Sequence, residues 1–477
     1  MLKHSWAPTR ESLVERFGDR YAWLALLVVA FGTVAAVLST TSFNVAIPAL
    51  VAHFGLGQER IQWSITGFMG AMTVAMLPTP WLLERFGFRR CFLAAIAVLA
   101  AASVAGSLSP SIGFMVTMRV VQGLAAGLLQ PLGTLAVLRL FPAHRQGKAS
   151  GILGFGIILA PAVAPALGGL LLDHYGWPAI FWINLPFCLV AGVAALYLLP
   201  VAGERTPRPF DWPGVGMLAV ATVCTIESVS SLHHSGLGSP WTWLPAAGAV
   251  AGFACFVRHS MRTPAPVVHP ELFADRPFAM GSIVSFAYGF GFYASTYLIP
   301  VFMQTALGYS ATQAGAILLP AGLVLAVCMP LAGHLADRHH PQRVTLTGLA
   351  VFGVSFVLLA IFGGGIAHGE LIAVTVLGRV GLGLILPSLN LAALRGLAPH
   401  QLGQSSAVIT YARQLGGVMG VAVAAVFVEW QASVLDPGTA LATAFARSFL
   451  MLAAVLAAAF VAGCLMRHPS ANKDRAG

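Results

Sequence analysis

Charge is scarce in this sequence. Lys, Arg, Asp and Glu make up 9% of the 477 residues, against 58% hydrophobic residues and a mean hydropathy of +0.83. Soluble proteins average about 25% charged residues. A soluble chain of this length has no interior large enough for so much apolar surface, so a polytopic membrane protein follows. Cysteine is scarce too. The six, at 91, 188, 224, 255, 328 and 464, stand singly within or beside apolar runs. No C-x-x-C pair occurs, which excludes a disulfide framework and a thiolate metal site. The histidine pairs His233–His234 and His339–His340 lack a third ligand nearby, so no metal is expected. No G-x-x-x-x-G-K-S/T loop occurs, which excludes a P-loop ATP site, and no cofactor is expected. The net charge of +10 is spread in small clusters between apolar runs rather than in one basic block. That pattern excludes nucleic acid as the partner and suits loops facing anionic lipid. The first apolar run has no small-residue cleavage site near its start, so it is expected to be retained as a span.

What is present is apolar sequence in lengths that cross a bilayer, about 20 residues each. The runs predict fourteen spans: 24–44, 61–82, 91–109, 114–137, 147–170, 179–199, 213–232, 241–258, 279–301, 314–335, 344–364, 371–393, 405–428 and 445–466. With both termini inside, the outer segments hold only Arg60 and Arg447 among Lys and Arg. Three more, Arg119, Arg379 and Arg413, fall within spans, and all the others lie inside. This asymmetry predicts an N-in, C-in, all-α membrane protein.

One segment occurs twice. "PTPWLLERFGFRR" (78–90) ends a span with Glu84, Arg85, Arg89 and Arg90. "PLAGHLADRHHPQR" (330–343) repeats the pattern with Asp337, Arg338 and Arg343. "RVVQGLAAGLLQP" from Arg119 and "RVGLGLILPSLN" from Arg379 repeat at nearly the same offset. The chain therefore reads as two six-span halves, 24–200 and 276–466, with an inserted two-span region at 201–275. Cytoplasmic tails occupy 1–23 and 467–477, the first with a short surface helix. Parallel halves around a central path are a transporter architecture. One acid-plus-base segment is explained by helix termination and topology alone. The second copy favours a cytoplasmic gate, in which a carboxylate pairs with Arg on the facing half in one state and releases it in the other.

Ionisable groups inside spans are costly and usually functional. Insertion of an Arg at the bilayer centre costs roughly 2.5–3.5 kcal/mol. Arg119 is therefore expected to face the interior, either for function or to bond backbone carbonyls. Arg379 is its repeat partner. Arg413 lies in the first turns of span 13, as a gate or anchor. Glu227 is the only acid deep in a span. It is a proton carrier, a cation contact, or an outer-interface residue beside His233 and His234. The acids Glu59, Asp173, Glu370, Glu429 and Asp436 read as loop solvation. Pro161, Pro165, Gly168 and Gly169 disrupt regular bonding in span 5, which suits either a sliding interface helix or close helix contact. Asn44 with Pro48, and Trp63, Gln122, Gln130, Tyr297, Gln304 and Asn390, are candidates to line a cavity. The polar ones must find partners there or between helices.

These motifs resemble the major facilitator superfamily, and within it the 14-span drug:proton antiporter family. The likeness covers nearly the whole chain. "WLLERFGFRR" resembles the loop signature between spans 2 and 3, and "STTSFNVAIPAL" (39–50), "QWSITGF" (62–68) and "RVVQGLAAGLLQP" (119–131) resemble motifs of spans 1, 2 and 4. "PAVAPALGG" (161–169) is similar to the antiporter motif of span 5, "GWPAIFWINLP" (176–186) to the span 5–6 junction, "FDWPG" (210–214) to the start of span 7, and "RQLGGVMGVA" (413–422) to the start of span 13. The sequence departs from the pattern at Ser39, where the family usually has Asp, at Pro80 and Glu84 in the loop, and at Ala160 and Ala164 in place of glycines. The resemblance implies a major facilitator fold and a role for Arg119 in proton coupling. It implies a multi-pass exporter of hydrophobic or amphiphilic compounds in the plasma membrane, the inner membrane where the cell has two. Protons and the bilayer are its partners, and a membrane-fusion adaptor in some relatives. The missing first-span acid points to neutral or anionic substrates. Two alternatives stay open: a transporter of one dedicated metabolite without proton coupling, and a polytopic acyl or glycosyl transferase. "HPELFADR" (269–276) is the sole faint catalytic cluster for the second.

Overall fold

The computed structural model describes residues 9–56, 58–201, 209–235, 239–309, 311–434 and 440–466, and among them every regular element is a helix. The first helices are α1 (Arg10–Phe17), α2 (Arg20–Thr41), α3 (Ile47–Phe54), α4 (Gln58–Ala75), α5 (Thr79–Phe86), α6 (Phe88–Ser107) and α7 (Ile112–Leu140). Next come α8 (Gln146–Tyr175), α9 (Leu185–Leu198), α10 (Trp212–Ser235) and α11 (Pro240–Ser260). The last six are α12 (Arg276–Thr305), α13 (Ala311–Arg338), α14 (Pro341–Phe362), α15 (His368–Leu394), α16 (Leu402–Val434) and α17 (Ala440–Cys464). Nine helices among the described residues are long and apolar enough to cross a membrane.

Two expected spans are interrupted, and proline or a helix end explains each. The run 61–82 breaks at Met76–Pro78 into α4 and α5. Pro78 has no N–H to continue the ladder and restricts Leu77 before it. The segment carrying Glu84 and Arg85 is thus a helix, α5, and not a loop. Gly87, at φ +80°, turns the chain from α5 into α6, a conformation glycine adopts without strain. The run 24–44 ends as α2 at Thr41, tightens into a 3₁₀ turn at Ser42–Ala46, and resumes as α3 with Pro48 near its start. Ahead of these, α1 is a short capped helix in which the Thr9 side chain and Ser12 satisfy each other's backbone N–H groups.

The helices gather into two compact units. One comprises Met1–Pro142, Phe155–Ala219 and Arg258–His269, and the other Ala143–Gly154, Val220–Val257 and Pro270–Gly477. Helix α8 contributes to both. Within the first unit, α7 packs on α2, α4 and α6, and α9 packs on α2 and α6. Within the second, α15 packs on α12, α13 and α14, and α17 packs on α12 and α14. The same positions in the two series therefore make the same contacts. Small residues set the distances. A Cβ on Gly123 or Gly127 of α7 would collide with the carbonyl of Phe68 or Met72 on α4. Glycine lets backbones approach closely where lipid provides no hydrophobic drive between helices. In the first unit, Val37, Leu38, Phe43, Leu50, Ile61, Met115, Ile180 and Phe181 form a buried cluster around the end of α2.

Candidate functional site

Beside that cluster lies a buried charge. Arg119, two turns into α7, is 1% exposed. Its guanidinium carbon lies 4.3 Å from the centroid of Phe43 and 4.1 Å from that of Phe68, so the cation sits against two rings. Nε donates to the Ser64 carbonyl at 3.1 Å. Nη1 donates to the Ser39 carbonyl at 2.9 Å, to Gln122 Oε1 at 3.0 Å and to Ser39 Oγ at 3.4 Å. Gln122 Nε2 passes the chain on to Ser103 Oγ at 2.7 Å, which also accepts from Asn184 Nδ2 at 3.0 Å. Nη2 is buried with no partner.

Local structure explains these contacts. The carbonyl of Ser39 lies in the last turn of α2, where carbonyls lack an intrahelical donor. Among the described residues no carboxylate reaches Arg119. A desolvated cation–π contact is worth about 2 kcal/mol, so two rings are comparable with the roughly 2.5–3.5 kcal/mol an Arg costs on insertion. Rings and carbonyls together hold the charge without an acid.

The other membrane arginines differ. Arg379 on α15 and Arg413 on α16 are half-buried in the second unit. Arg413 lies about three turns inside α16 rather than at its start. Both are within electrostatic reach of Tyr288 on α12, and Arg413 also of Tyr293. The Tyr293 hydroxyl donates to Gln414 Oε1 at 3.3 Å, while Gln414 Nε2 is buried without a partner.

At the helix ends, Glu84 and Arg85 are exposed on α5, and Glu84 lies within electrostatic reach of Arg139. Arg85 sits 5.4 Å from the ring of Trp81. Arg89 Nη2 donates to the Leu196 carbonyl at 2.7 Å, and Arg90 is exposed. Asp337, ending α13, accepts from the backbone N–H of Gly147 at 2.7 Å and of Lys148 at 2.8 Å. Its partners are the first amides of α8, not an Arg side chain. Gly147 and Gly333 approach so closely that a Cβ on either meets the other's carbonyl. Arg395 Nη2 donates to the Ala143 carbonyl at 3.0 Å, and Arg338 and Arg343 are exposed.

Glu227 is half-buried on α10, and Gly168 is buried on α8. Trp63 is 45% exposed, and Gln304 is exposed with its amide on the Pro300 carbonyl. Gln130, Tyr297 and Asn390 are half-buried. The side chains of Asn44, Pro161 and Pro165, with Gly169 and the histidines 233 and 234, lie outside the described residues. The structure thus joins Arg119 with Gln122, and Asp337 with the start of α8. Sequence reasoning missed Phe43, Phe68, Ser64, Ser103 and Asn184 around Arg119. It also missed the buried Asp211, which accepts from Gly214 N at 2.9 Å and pairs with His259 Nε2 at 2.6 Å. The "FDWPG" segment was the one available signal for Asp211.

A family model described as Major Facilitator Superfamily matches residues 29–421. A multidrug resistance protein B homolog of Mycobacterium tuberculosis (strain CDC 1551 / Oshkosh) is 31% identical, over 85% of this chain and 76% of its own length. The tetracenomycin C resistance and export protein of Streptomyces glaucescens is 31% identical, over 83% and 72%. Among solved structures, the human organic anion transporter MFSD10 (TETRAN) superposes with a TM-score of 0.66 at 16% identity, covering 94% of this chain and 99% of that one. At that identity the likeness speaks for the fold alone.

Proposed function

This chain belongs to the Major Facilitator Superfamily, and on that premise we propose that it exports hydrophobic or amphiphilic small molecules in exchange for protons, by alternating access. Membership makes it a multi-pass transporter of the plasma membrane and not an enzyme. The finer reading comprises fourteen spans with both termini inside, a cytoplasmic gate at Glu84 and Asp337 with their neighbouring arginines, and coupling through Arg119. The observation that carries it is the Arg119 site. A cation kept at 1% exposure in a membrane helix, caged by two rings and two backbone carbonyls, is a costly arrangement that function explains better than structure. Glu227 is the proposed proton carrier, as the one acid within a span. Protons and, in a cell with two membranes, a membrane-fusion adaptor are the further partners this reading implies. Export rather than uptake rests on relatives named for resistance and export. One of them is named for a single compound, which favours, as a second reading, export of one dedicated metabolite.

The test uses purified protein in liposomes with an internal pH dye and an imposed proton gradient. Hydrophobic cations, anions and neutral compounds are added in turn. Wild type should move protons when a substrate is added, and Arg119→Ala should abolish this while eluting as a single species. Loss in Glu227→Gln as well assigns the carrier. No proton movement in wild type with any compound overturns proton exchange and leaves the dedicated, uncoupled reading.

A further inference from the structure

The three arginines within membrane helices are not compensated alike. Arg119 has two rings, two carbonyls and an amide oxygen. Among the described residues, Arg379 and Arg413 have no carboxylate, no hydrogen bond and no stacked ring. Two tyrosines and one amide, groups that can donate hydrogen bonds, stand near them. Tyr288 lies within reach of both, Tyr293 of Arg413, and the Gln414 amide beside Tyr293 holds an unpartnered Nε2 at 4% exposure. An unsatisfied buried polar group and a guanidinium in an apolar span are both costly to leave unpaired. The two guanidinium groups and Gln414 Nε2 hold donors that no acceptor among the described residues fills, and an arriving acceptor would fill them.

We propose that Arg379, Arg413, Tyr288, Tyr293 and Gln414 form a site in the second unit for the anionic group of an amphiphilic substrate, a carboxylate joined to an aromatic body. The depth is right for a transported molecule. Arg379 and Arg413 lie about 16 Å along their helices, and Tyr288 about 18 Å along α12. Counted instead from the expected span starts at 371, 405 and 279, all three lie about 12–14 Å into spans that cross a hydrocarbon core about 30 Å thick. A Cβ on Gly289 would collide with the carbonyl of Arg413, so the backbones of α12 and α16 touch at this level and hold Tyr288 beside Arg413. The aromatic body has partners along α12, where Tyr288 and Phe292 stack 6.2 Å apart and Phe292 meets Tyr293 at 4.9 Å. An Arg fork binds a carboxylate with two parallel hydrogen bonds, and neutral analogues lose that contact. The inference rests on the transporter reading but not on proton exchange.

Binding by detergent-purified protein without any gradient tests it separately from transport. The probes are naphthyl- and biphenyl-carboxylates, each with its methyl ester. Wild type should bind the acids about tenfold more tightly than the esters, as charge-assisted hydrogen bonds predict. Arg379→Gln and Arg413→Gln should each erase that preference, while elution as a single species and an unchanged thermal unfolding temperature report an intact fold. Arg262→Gln, at an exposed residue outside both sites, should keep the preference. Added phosphatidylglycerol, compared with phosphatidylcholine, should not compete with the acids. Equal affinity for acid and ester in wild type overturns the proposal, as does absence of acid binding. Preference retained in the double variant, or competition by phosphatidylglycerol alone, also overturns it. A failure of proton exchange with acid preference intact refutes the coupling and not this site.

Discussion

Ser39 determines what kind of site Arg119 makes. Its Oγ lies 3.4 Å and its carbonyl 2.9 Å from Nη1, and Nη2 of the same guanidinium has no partner. A carboxylate at this position would be placed to occupy both nitrogens. Ser39→Asp is therefore expected to pair with Arg119 and raise the thermal unfolding temperature of the purified protein. It is also expected to move export toward cationic compounds, since the pair cancels the positive charge that repels them. Growth inhibition by matched cationic and neutral compounds, in a host lacking its own efflux pumps, reads the second effect. An unchanged ranking of compounds would show that Ser39 does not select charge. Arg119 itself was legible in the sequence, because an Arg in an apolar run has few innocent explanations. Phe43 and Phe68 were not. The chain has 29 phenylalanines, and neither spacing nor neighbours set these two apart. Their role appears only when α2, α4 and α7 converge.

At the scale of the helix, glycine decides which faces meet. On α12 and α16, Cβ atoms at Gly289, Gly416 and Gly420 would strike the carbonyls of Arg413, Phe286 and Phe290. On α13, a Cβ at Gly322 would meet open space. Gly289→Ala should thus destabilise the protein by about 1–3 kcal/mol through overpacking. Gly322→Ala should be neutral or stabilise by up to about 1 kcal/mol through helix propensity. Thermal unfolding in detergent compares the two, and equal shifts would mean that α12 and α16 adjust by moving apart. Helix positions were legible because apolar runs of span length are hard to place otherwise. The breaks were partly legible. Pro78 and Pro80 were a signal for the end of α4 that the expected span 61–82 passed over, whereas the tightening of α2 at Ser42 carried no signal, since Ser and Thr occur within membrane helices as well as at their ends.

For the molecule as a whole, α7 and α15 make matching sets of contacts, each on three helices of its own series. Membership in the compact units was less legible. Residues 143–154 and 220–257 group with the second unit although they precede its main segment. Sequence neighbourhood reports chain connection, while grouping depends on where backbones touch. The touch at 143–154 centres on Asp337. Its two oxygens accept from Gly147 and Lys148, two of the N–H groups that a helix start leaves without partners, and its charge faces the positive end of the α8 dipole. In Asp337→Asn one oxygen becomes an NH₂ facing another donor, and the charge is lost. The cost should be about 1–3 kcal/mol, felt only while the contact is closed. Local opening at the start of α8 then becomes roughly tenfold more frequent. Hydrogen–deuterium exchange of a peptide covering 143–154 should speed up by that factor, while Arg338→Gln, at an exposed neighbour, leaves it unchanged. If the contact is the gate that alternating access requires, the same variant should also show altered substrate turnover in liposomes. Faster exchange with normal turnover would make Asp337 a helix cap alone, and the cytoplasmic gate would then have to lie elsewhere.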